Sequence, residues 1–451
     1  MSIALAHPKL DLAARVSAAL ASPYTGYAYA YPHKTAYRPF VPAQNIADIW
    51  RDEPREGVGV YVHIPFCEMR CGFCNLFTVA NAKDDGVTAF LAALYREAET
   101  VAATAGPLAP ASLTLGGGTP TYLPAHALAD LLDHIARQFS ISLATTPSLV
   151  ETSPATATGD RLDVLIERGI SRISIGVQSF LAAETKALGR PQDVKDLIAA
   201  LDRIRARTFQ NLNIDLIYGS AAQTPQSWLQ SLRMALSWAP EEIFLYPLYV
   251  RPLTGLHGRA QTFDNHRRAL YRAGRDYLLS EGYSQLSMRM FRRGAAHNAA
   301  GSATGEAGDV HSGVIGLGAG ARSRTRGLHY SGRYAVGRAA ALSIIKNYCE
   351  TEDFSQVHHG FALDRGEQMR RTILLDVLSA AGLDITAFET RYGCSPSAVL
   401  AELTPLLELG MLEHSGGRLR PTATGLEHAD AMGPLLVSSN VEARMAAFER
   451  S

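Results

Sequence analysis

VGVYVHIPFCEMRCGFCNLFT, residues 58–78, decides how the rest of the chain is read. Its first seven residues are rich in valine and aromatic side chains, as a buried strand requires. Cys67, Cys71 and Cys74 follow within eight residues. Three thiols in one tight loop are too few for a closed zinc site, which takes four ligands, and no histidine close behind Cys74 completes one. Thiolates are the usual ligands of a [4Fe–4S] cluster, and one cysteine per iron leaves the fourth iron open to a small molecule. These three cysteines are therefore the candidate metal ligands. His63, on the strand just before the loop, reads as a packing residue. Cys349 and Cys394 stand alone and read as small buried hydrophobes.

Working outward, short β-rich runs alternate with stretches of helical period. The strands are expected at 58–64, 112–117, 148–153, 171–178, 211–219 and 242–250. Between them, segments such as AHALADLLDHIARQF (125–139) repeat apolar residues at i, i+3 and i+4. Strict alternation implies right-handed crossovers and a parallel sheet. Six units fall short of the eight of a closed barrel, so the expected fold is α/β, a partial (β/α)6 barrel. Ligands of such sheets gather at the C-terminal ends of the strands.

The flanks read differently. Residues 1–56 form an N-terminal extension in which Tyr24, Tyr27, Tyr29, Tyr31 and Tyr37 mix with Pro23, Pro32 and Pro39, a spacing that forbids a long helix. The barrel domain is expected over 57–300. A Gly-rich connecting region is expected over 301–360, and a mainly helical, winged-helix-like domain over 361–451.

Composition bounds the partners. Of 451 residues, 47% are hydrophobic and 19% charged, and 43 basic residues balance 43 acidic ones. That is globular composition without the charge excess that draws a protein to nucleic acid or an anionic membrane. With no long uninterrupted apolar run, the expectation is a soluble, cytoplasmic protein with no nucleic-acid or membrane partner.

Polar residues sit at the expected strand ends, inside otherwise apolar runs. GGGTP (116–120) lets backbone N–H groups approach a ligand, while Glu151, Gln178 and Asp215 end the third, fourth and fifth strands, with Arg190 in a loop. Such groups offer acceptors for ribose hydroxyls and a cation for a carboxylate.

CEMRCGFC resembles the signature loop of the radical S-adenosylmethionine (SAM) enzymes. YVHIPFC, GGGTPTYL, GISRISIGVQSF and NIDLIYG resemble, in order, the oxygen-independent coproporphyrinogen III oxidase (HemN-like) branch of that superfamily. The resemblance spans about residues 58–330 and, more weakly, the C-terminal domain. It implies a [4Fe–4S] cluster, two molecules of SAM and a reductant such as flavodoxin or ferredoxin. It places Tyr61, Phe73, Gly117, Gly118, Thr119, Glu151, Gln178, Arg190, Asp215, Tyr249 and Arg322 against SAM. Within these, Gly117 meets the methionyl part of the cluster-bound molecule, and Gly118 and Thr119 face the second.

Within the branch, Leu76 stands where the oxidases carry a further cysteine, and YPHKTAYRPF with CEMRCGFCNLFT resembles the class C radical SAM methyltransferases and cyclopropanases. That subgroup implies transfer of a SAM-derived methylene or methyl unit to an sp² carbon of a small molecule. The alternatives are oxidative decarboxylation of a porphyrinogen and a haem chaperone.

Overall fold

The parallel core of the protein follows from the apolar runs. In the computed structural model, which describes residues 12–28, 30–294 and 311–448, six strands pair side by side in chain order. They are β1 (Glu56–Ile64), β2 (Ala109–Gly117), β3 (Ser148–Thr152), β4 (Arg172–Gln178), β5 (Asn211–Tyr218) and β6 (Glu242–Pro247), all parallel. Leu212, Ile214 and Leu216 of β5 are fully buried, as are Ile173 and Ile175 of β4. Strands covered on both faces by crossover helices need such runs.

Each strand leads to a helix: α1 (Asp84–Ala105), α2 (Ala125–Gln138), α3 (Gly159–Glu167), α4 (Val194–Arg205), α5 (Pro225–Leu236) and α6 (Asp264–Ser280). Helix α2 buries Leu128, Leu131, Leu132 and Ile135, one stripe at helical spacing. Helix α5 starts at a capping box between Thr224 and Ser227 with Pro225 in its first turn, which satisfies donors that the helix itself cannot. This is the expected partial (β/α)6 barrel, and it does not close.

Instead, the sheet extends to thirteen strands. Beyond β6 lie Met290–Arg293 and Tyr283–Gln285, both antiparallel. Beyond β1, Val314–Leu317 adds in parallel, and Arg322–Arg324, Leu328–Ser331, Gln356–Ala362 and Arg38–Asn45 follow antiparallel. The stretch 313–327, read from its glycines as a connection, thus supplies sheet strands. Gly318 and Gly320, at positive φ, turn the chain between strands too short to show a period.

The described residues divide into two compact units. One comprises Met1–His33, Leu286–Met288 and Asp364–Glu442; the other comprises Lys34–Gln285, Arg289–Leu363 and Ala443–Ser451. Residues 1–56 are therefore shared between the units. Helix Leu12–Leu20 packs on Leu403–Glu408 and Ala429–Leu435, whereas Arg38–Asn45 pairs with Gln356–Ala362. Tyr29 lies outside the described residues. The first unit is mainly helical, with a small sheet ordered Leu383–Asp384, Arg418–Pro421, Leu412–Ser415. Inside it, Tyr31 donates its hydroxyl to Glu367, which also accepts from Ser438 Oγ at 2.7 Å.

At the N-terminal ends of the barrel strands, Glu242 opens β6 fully buried and pairs with Arg172 of β4 and with Arg292, the latter at 2.7 Å. Removing the charge of a buried ionic partner leaves the others uncompensated. Glu242→Gln is expected to destabilise the chain by about 3 kcal/mol in chemical denaturation. An unchanged denaturation midpoint would refute this role.

Candidate active site

Pro65 ends β1, and the chain turns into the short strand Phe66–Cys67, which pairs with Val79–Ala80. Between these strands the loop folds on itself, with Cys74 N–H donating to Cys71 O at 3.1 Å. The three thiols are free and part-buried. The loop is gripped at Gly72: its N–H donates to Gly189 O at 3.0 Å, and its carbonyl accepts from Leu256 N–H at 2.8 Å. A Cβ at Gly72 would stand 2.8 Å from Leu188 O and 3.0 Å from Gly189 Cα, so only glycine permits this approach. Phe73 packs on the cluster of Leu188, Ile217, Leu248 and Leu256. A second grip comes from the far side of the sheet. Tyr334 donates to Asn75 O at 2.6 Å, Arg338 to Ala80 O at 2.9 Å, and Arg70 to Val336 O.

The GGGTP turn at the end of β2 lies directly against Cys67. Gly118 N–H donates to Ile64 O at 2.7 Å and Thr119 N–H to Phe66 O at 2.8 Å. A Cβ on Gly118 would stand 2.5 Å from Phe66 O and 3.0 Å from Cys67 Sγ. Thr119 Oγ1 donates to Cys67 Sγ at 3.6 Å. Thr121 Oγ1 bonds Thr152 and Thr156, each at 2.7 Å, which ties this turn to the end of β3.

Next along the strand ends, Glu151 accepts from Gly117 N–H at 3.0 Å. Burial, then the nearby Asp215, pushes its carboxyl up to about 7. Asp215 accepts from Asn213 Nδ2 at 2.7 Å and Ser174 Oγ at 3.4 Å, and burial raises it to about 6. Gln178 takes a φ of +68° where the register between β4 and β5 shifts. Its Nε2 and Arg190 Nη1 lie 2.8 and 3.5 Å from where a Cβ on Gly176 would stand, so both face one spot. Arg190 Nη1 also donates to Cys71 Sγ at 3.5 Å. Burial pushes the Cys71 thiol up, and the Arg190 guanidinium opposes that shift.

One group thus joins Cys67, Cys71, Gly117, Gly118, Thr119, Glu151, Gln178, Arg190 and Asp215. Cys74 sits on the same loop, with Thr78 Oγ1 at 3.9 Å from its sulfur. Tyr61 donates its hydroxyl to His63 Nδ1 at 3.1 Å, and His63 Nε2 donates to Phe77 O at 2.9 Å. Burial takes His63 down to about 4, so the imidazole stays neutral with both nitrogens engaged. It is a packing residue. Tyr249 stacks with Arg251 and Arg267, at 4.4 and 5.7 Å, and these contacts alone do not join it to the carboxylates. Arg322 opens the strand Arg322–Arg324, its backbone against Gly316. The grips at Gly72, Tyr334 and Arg338 escape a sequence reading because their partners are far away in the chain.

These residues fit an iron–sulfur cluster with a sulfonium ligand. The backbone of the GGGTP turn presses on a cluster-loop thiol and leaves room for no side chain there. Two buried acids whose ionisation is opposed by burial suit a cationic ligand. Among the described residues no three His, Cys, Asp or Glu side chains converge as on a single metal ion. A cluster takes one thiolate per iron and needs no such convergence.

Residues 61–235 match the model of the radical SAM superfamily, and residues 363–428 match the HemN C-terminal domain. Over residues 61–235 the chain carries a radical SAM domain, and a HemN-like C-terminal domain follows it. Its cofactors are those of that superfamily, a [4Fe–4S] cluster and SAM. An oxygen-independent coproporphyrinogen III oxidase of Bradyrhizobium diazoefficiens is 26% identical over 86% of this chain and 89% of its own. The heme chaperone HemW of Bacillus subtilis is 27% identical over 81% of this chain and 95% of its own. The structure of Escherichia coli coproporphyrinogen III oxidase (HemN) superposes with a TM-score of 0.74, covering 87% of this chain and 92% of its own at 23% identity. These relatives agree with the radical SAM and HemN-like reading. They side with its alternatives over a class C methyltransferase or cyclopropanase, a subgroup that finds no support among them. The short motifs that suggested that subgroup lie in the loop and the N-terminal stretch, whereas these matches extend over most of the chain.

Gly72→Ala is expected to lower the iron bound per reconstituted chain, because the added methyl meets the backbone of Leu188 and Gly189 and the side chain of Leu256. Gly86→Ala, with nothing within 4 Å of the new Cβ, should bind iron like the parent. Equal iron in both variants would refute the clamp.

A second expectation concerns pH. Between the ordinary Glu value of 4.5 and about 7, the folded chain keeps the Glu151 proton that the unfolded chain has released. Stability contributed by this group therefore falls as pH rises through that window. Glu151→Gln should flatten the fall in denaturation experiments; an unchanged slope would show that Glu151 does not carry it.

Proposed function

We propose that this chain uses its cluster and SAM to take a hydrogen atom from a small, carboxylate-bearing substrate, and that its reaction is an oxidative decarboxylation of the coproporphyrinogen III oxidase type. The supporting observation is the 26% identity to such an oxidase along 89% of that enzyme's length, over both matched domains. In this reading Cys67, Cys71 and Cys74 hold the cluster. When bound, the cluster supplies the electron that cleaves SAM to a 5′-deoxyadenosyl radical.

The chain's own residues bind and orient. Gly117 offers its backbone to the methionyl part of the first SAM, with Glu151 accepting the Gly117 N–H and fixing the turn. Gly118 and Thr119 face a second SAM, and Tyr61, Phe73, Gln178, Arg190, Asp215, Tyr249 and Arg322 line the SAM sites. Phe73, packed on an apolar cluster, excludes water from the cysteine loop. A reductant such as flavodoxin or ferredoxin supplies the electron.

One observation favours a second reading, transfer of a SAM-derived one-carbon unit. Leu76, beside the cluster loop's last cysteine, is 47% exposed and stands where the oxidases have a further cysteine.

Product analysis separates the readings. Anaerobic turnover with coproporphyrinogen III, reductant and SAM is expected to give 5′-deoxyadenosine and carbon dioxide without S-adenosylhomocysteine. S-adenosylhomocysteine formed together with 5′-deoxyadenosine would select one-carbon transfer. Stoichiometric haem binding with no turnover would select a chaperone.

A further inference from the structure

Glu184 belongs to none of the roles above. It lies on the short helix Ala182–Ala187 and is only 2% exposed. Its carboxylate gathers three neutral donors: Ser179 Oγ on Oε2 at 2.6 Å, Gln223 Nε2 on the same oxygen at 3.2 Å, and Ser227 Oγ on Oε1 at 2.6 Å. Hydrogen bonds to an ionised acceptor are about twice as strong as neutral ones. The donors come from three elements. Ser179 follows β4, and Ser227 lies in the first turn of α5. Gln223 closes the turn after β5, accepting from Gly219 and Ser220 N–H and donating to Ile217 O.

From this anchor the chain runs directly to the cysteine loop. The carbonyls of Glu184, Lys186 and Thr185 accept from the N–H groups of Leu188, Gly189 and Arg190 at 2.9, 3.0 and 2.9 Å. Gly189 O then takes the Gly72 N–H, and Arg190 Nη1 donates to Cys71 Sγ. Gln192 Nε2 secures the exit of this segment on Val177 O and Ser179 O. Its entry is secured by Glu184 and by Ser179, whose Oγ also takes the Leu181 N–H at 3.0 Å.

We propose that Glu184 is a positioning residue for the cluster: by fixing the helix Ala182–Ala187 it sets where Gly189 grips the cysteine loop and where Arg190 meets the Cys71 sulfur. This goes beyond the functional reading above, since it concerns the cluster whichever reaction follows. A donor to a cluster-ligating sulfur stabilises the more negative, reduced cluster and raises its reduction potential. Loosening the helix withdraws that donor.

The test measures iron per chain in the reconstituted full-length protein, and the cluster's midpoint potential in a redox titration followed by electron paramagnetic resonance. Glu184→Ala removes all three side-chain hydrogen bonds, and Glu184→Asp draws the carboxylate back by one methylene. Both are expected to hold less iron and to shift the clusters that remain to a lower potential. Glu184→Gln keeps the length and one oxygen for Ser179 and Gln223. Its amide donates to Ser227 Oγ, whose own proton turns to Thr224 O, 3.1 Å away. This variant is expected to return to the parent's potential. Glu242→Gln, altered at the opposite ends of the strands, should also keep it. The proposal is overturned if Glu184→Ala and Glu184→Asp leave the potential unchanged, whatever their iron, or if Glu184→Gln shifts it as far as they do. An equal shift in Glu242→Gln would report a general loosening of the fold and overturn it as well. Should Glu184→Ala fail to fold or to take up iron, Glu184→Asp and Glu184→Gln decide alone.

Discussion

Backbone-to-backbone contact at Gly72 is the constraint on which the site depends. A loop bearing three thiols has to be held open enough to take a cluster and still enough to keep its geometry. Disulfides cannot do this, because the thiols themselves are reserved. The chain uses main-chain hydrogen bonds instead, from Gly189 after β4 and Leu256 after β6, which converge on one residue between Cys71 and Cys74. Side chains from 334–338 hold the loop's other edge. Loops from separate strands thus fix the cysteines, and the position of each strand end becomes a condition for the site.

Charge is partitioned along the barrel strands in the same spirit. At their N-terminal ends Glu242 is neutralised by two guanidinium groups, which is a packing solution. Near the end of β3 and in the middle of β5, Glu151 and Asp215 are buried near each other, and burial opposes their ionisation. The first arrangement is complete without a ligand; the second is suited to receive one. This division matches the general separation of stability and chemistry between the two ends of barrel strands.

Much of this was legible in the residues. The six parallel strands follow from alternating β-rich and helical periods, and the strand-end polar residues announced themselves by interrupting apolar runs. The three cysteines needed only their spacing. The outer strands were not legible, since Val314–Leu317 and Arg322–Arg324 are too short to carry a pattern and their glycines read as linker. The contact made by Lys34 was hidden for another reason. In YPHKTAYRPF the tyrosines and prolines dominate, and nothing local shows that Lys34 Nζ lies over the ring of Tyr334. The likeness to the HemN-type relatives was also partly masked, because Leu76 and the N-terminal motif pointed to a different subgroup.

Strand Arg38–Asn45, which follows directly on Lys34, is hydrogen-bonded to Gln356–Ala362. On the ribosome the first of these segments emerges long before the second. Its edge of the sheet can close only after nearly four-fifths of the polypeptide has been made, a strand pairing less local than any other among the described strands. The cysteine loop, by contrast, lies between β1 and β2, which pair early. A nascent chain therefore carries its three thiols before the strand Arg38–Asn45 is anchored to the sheet.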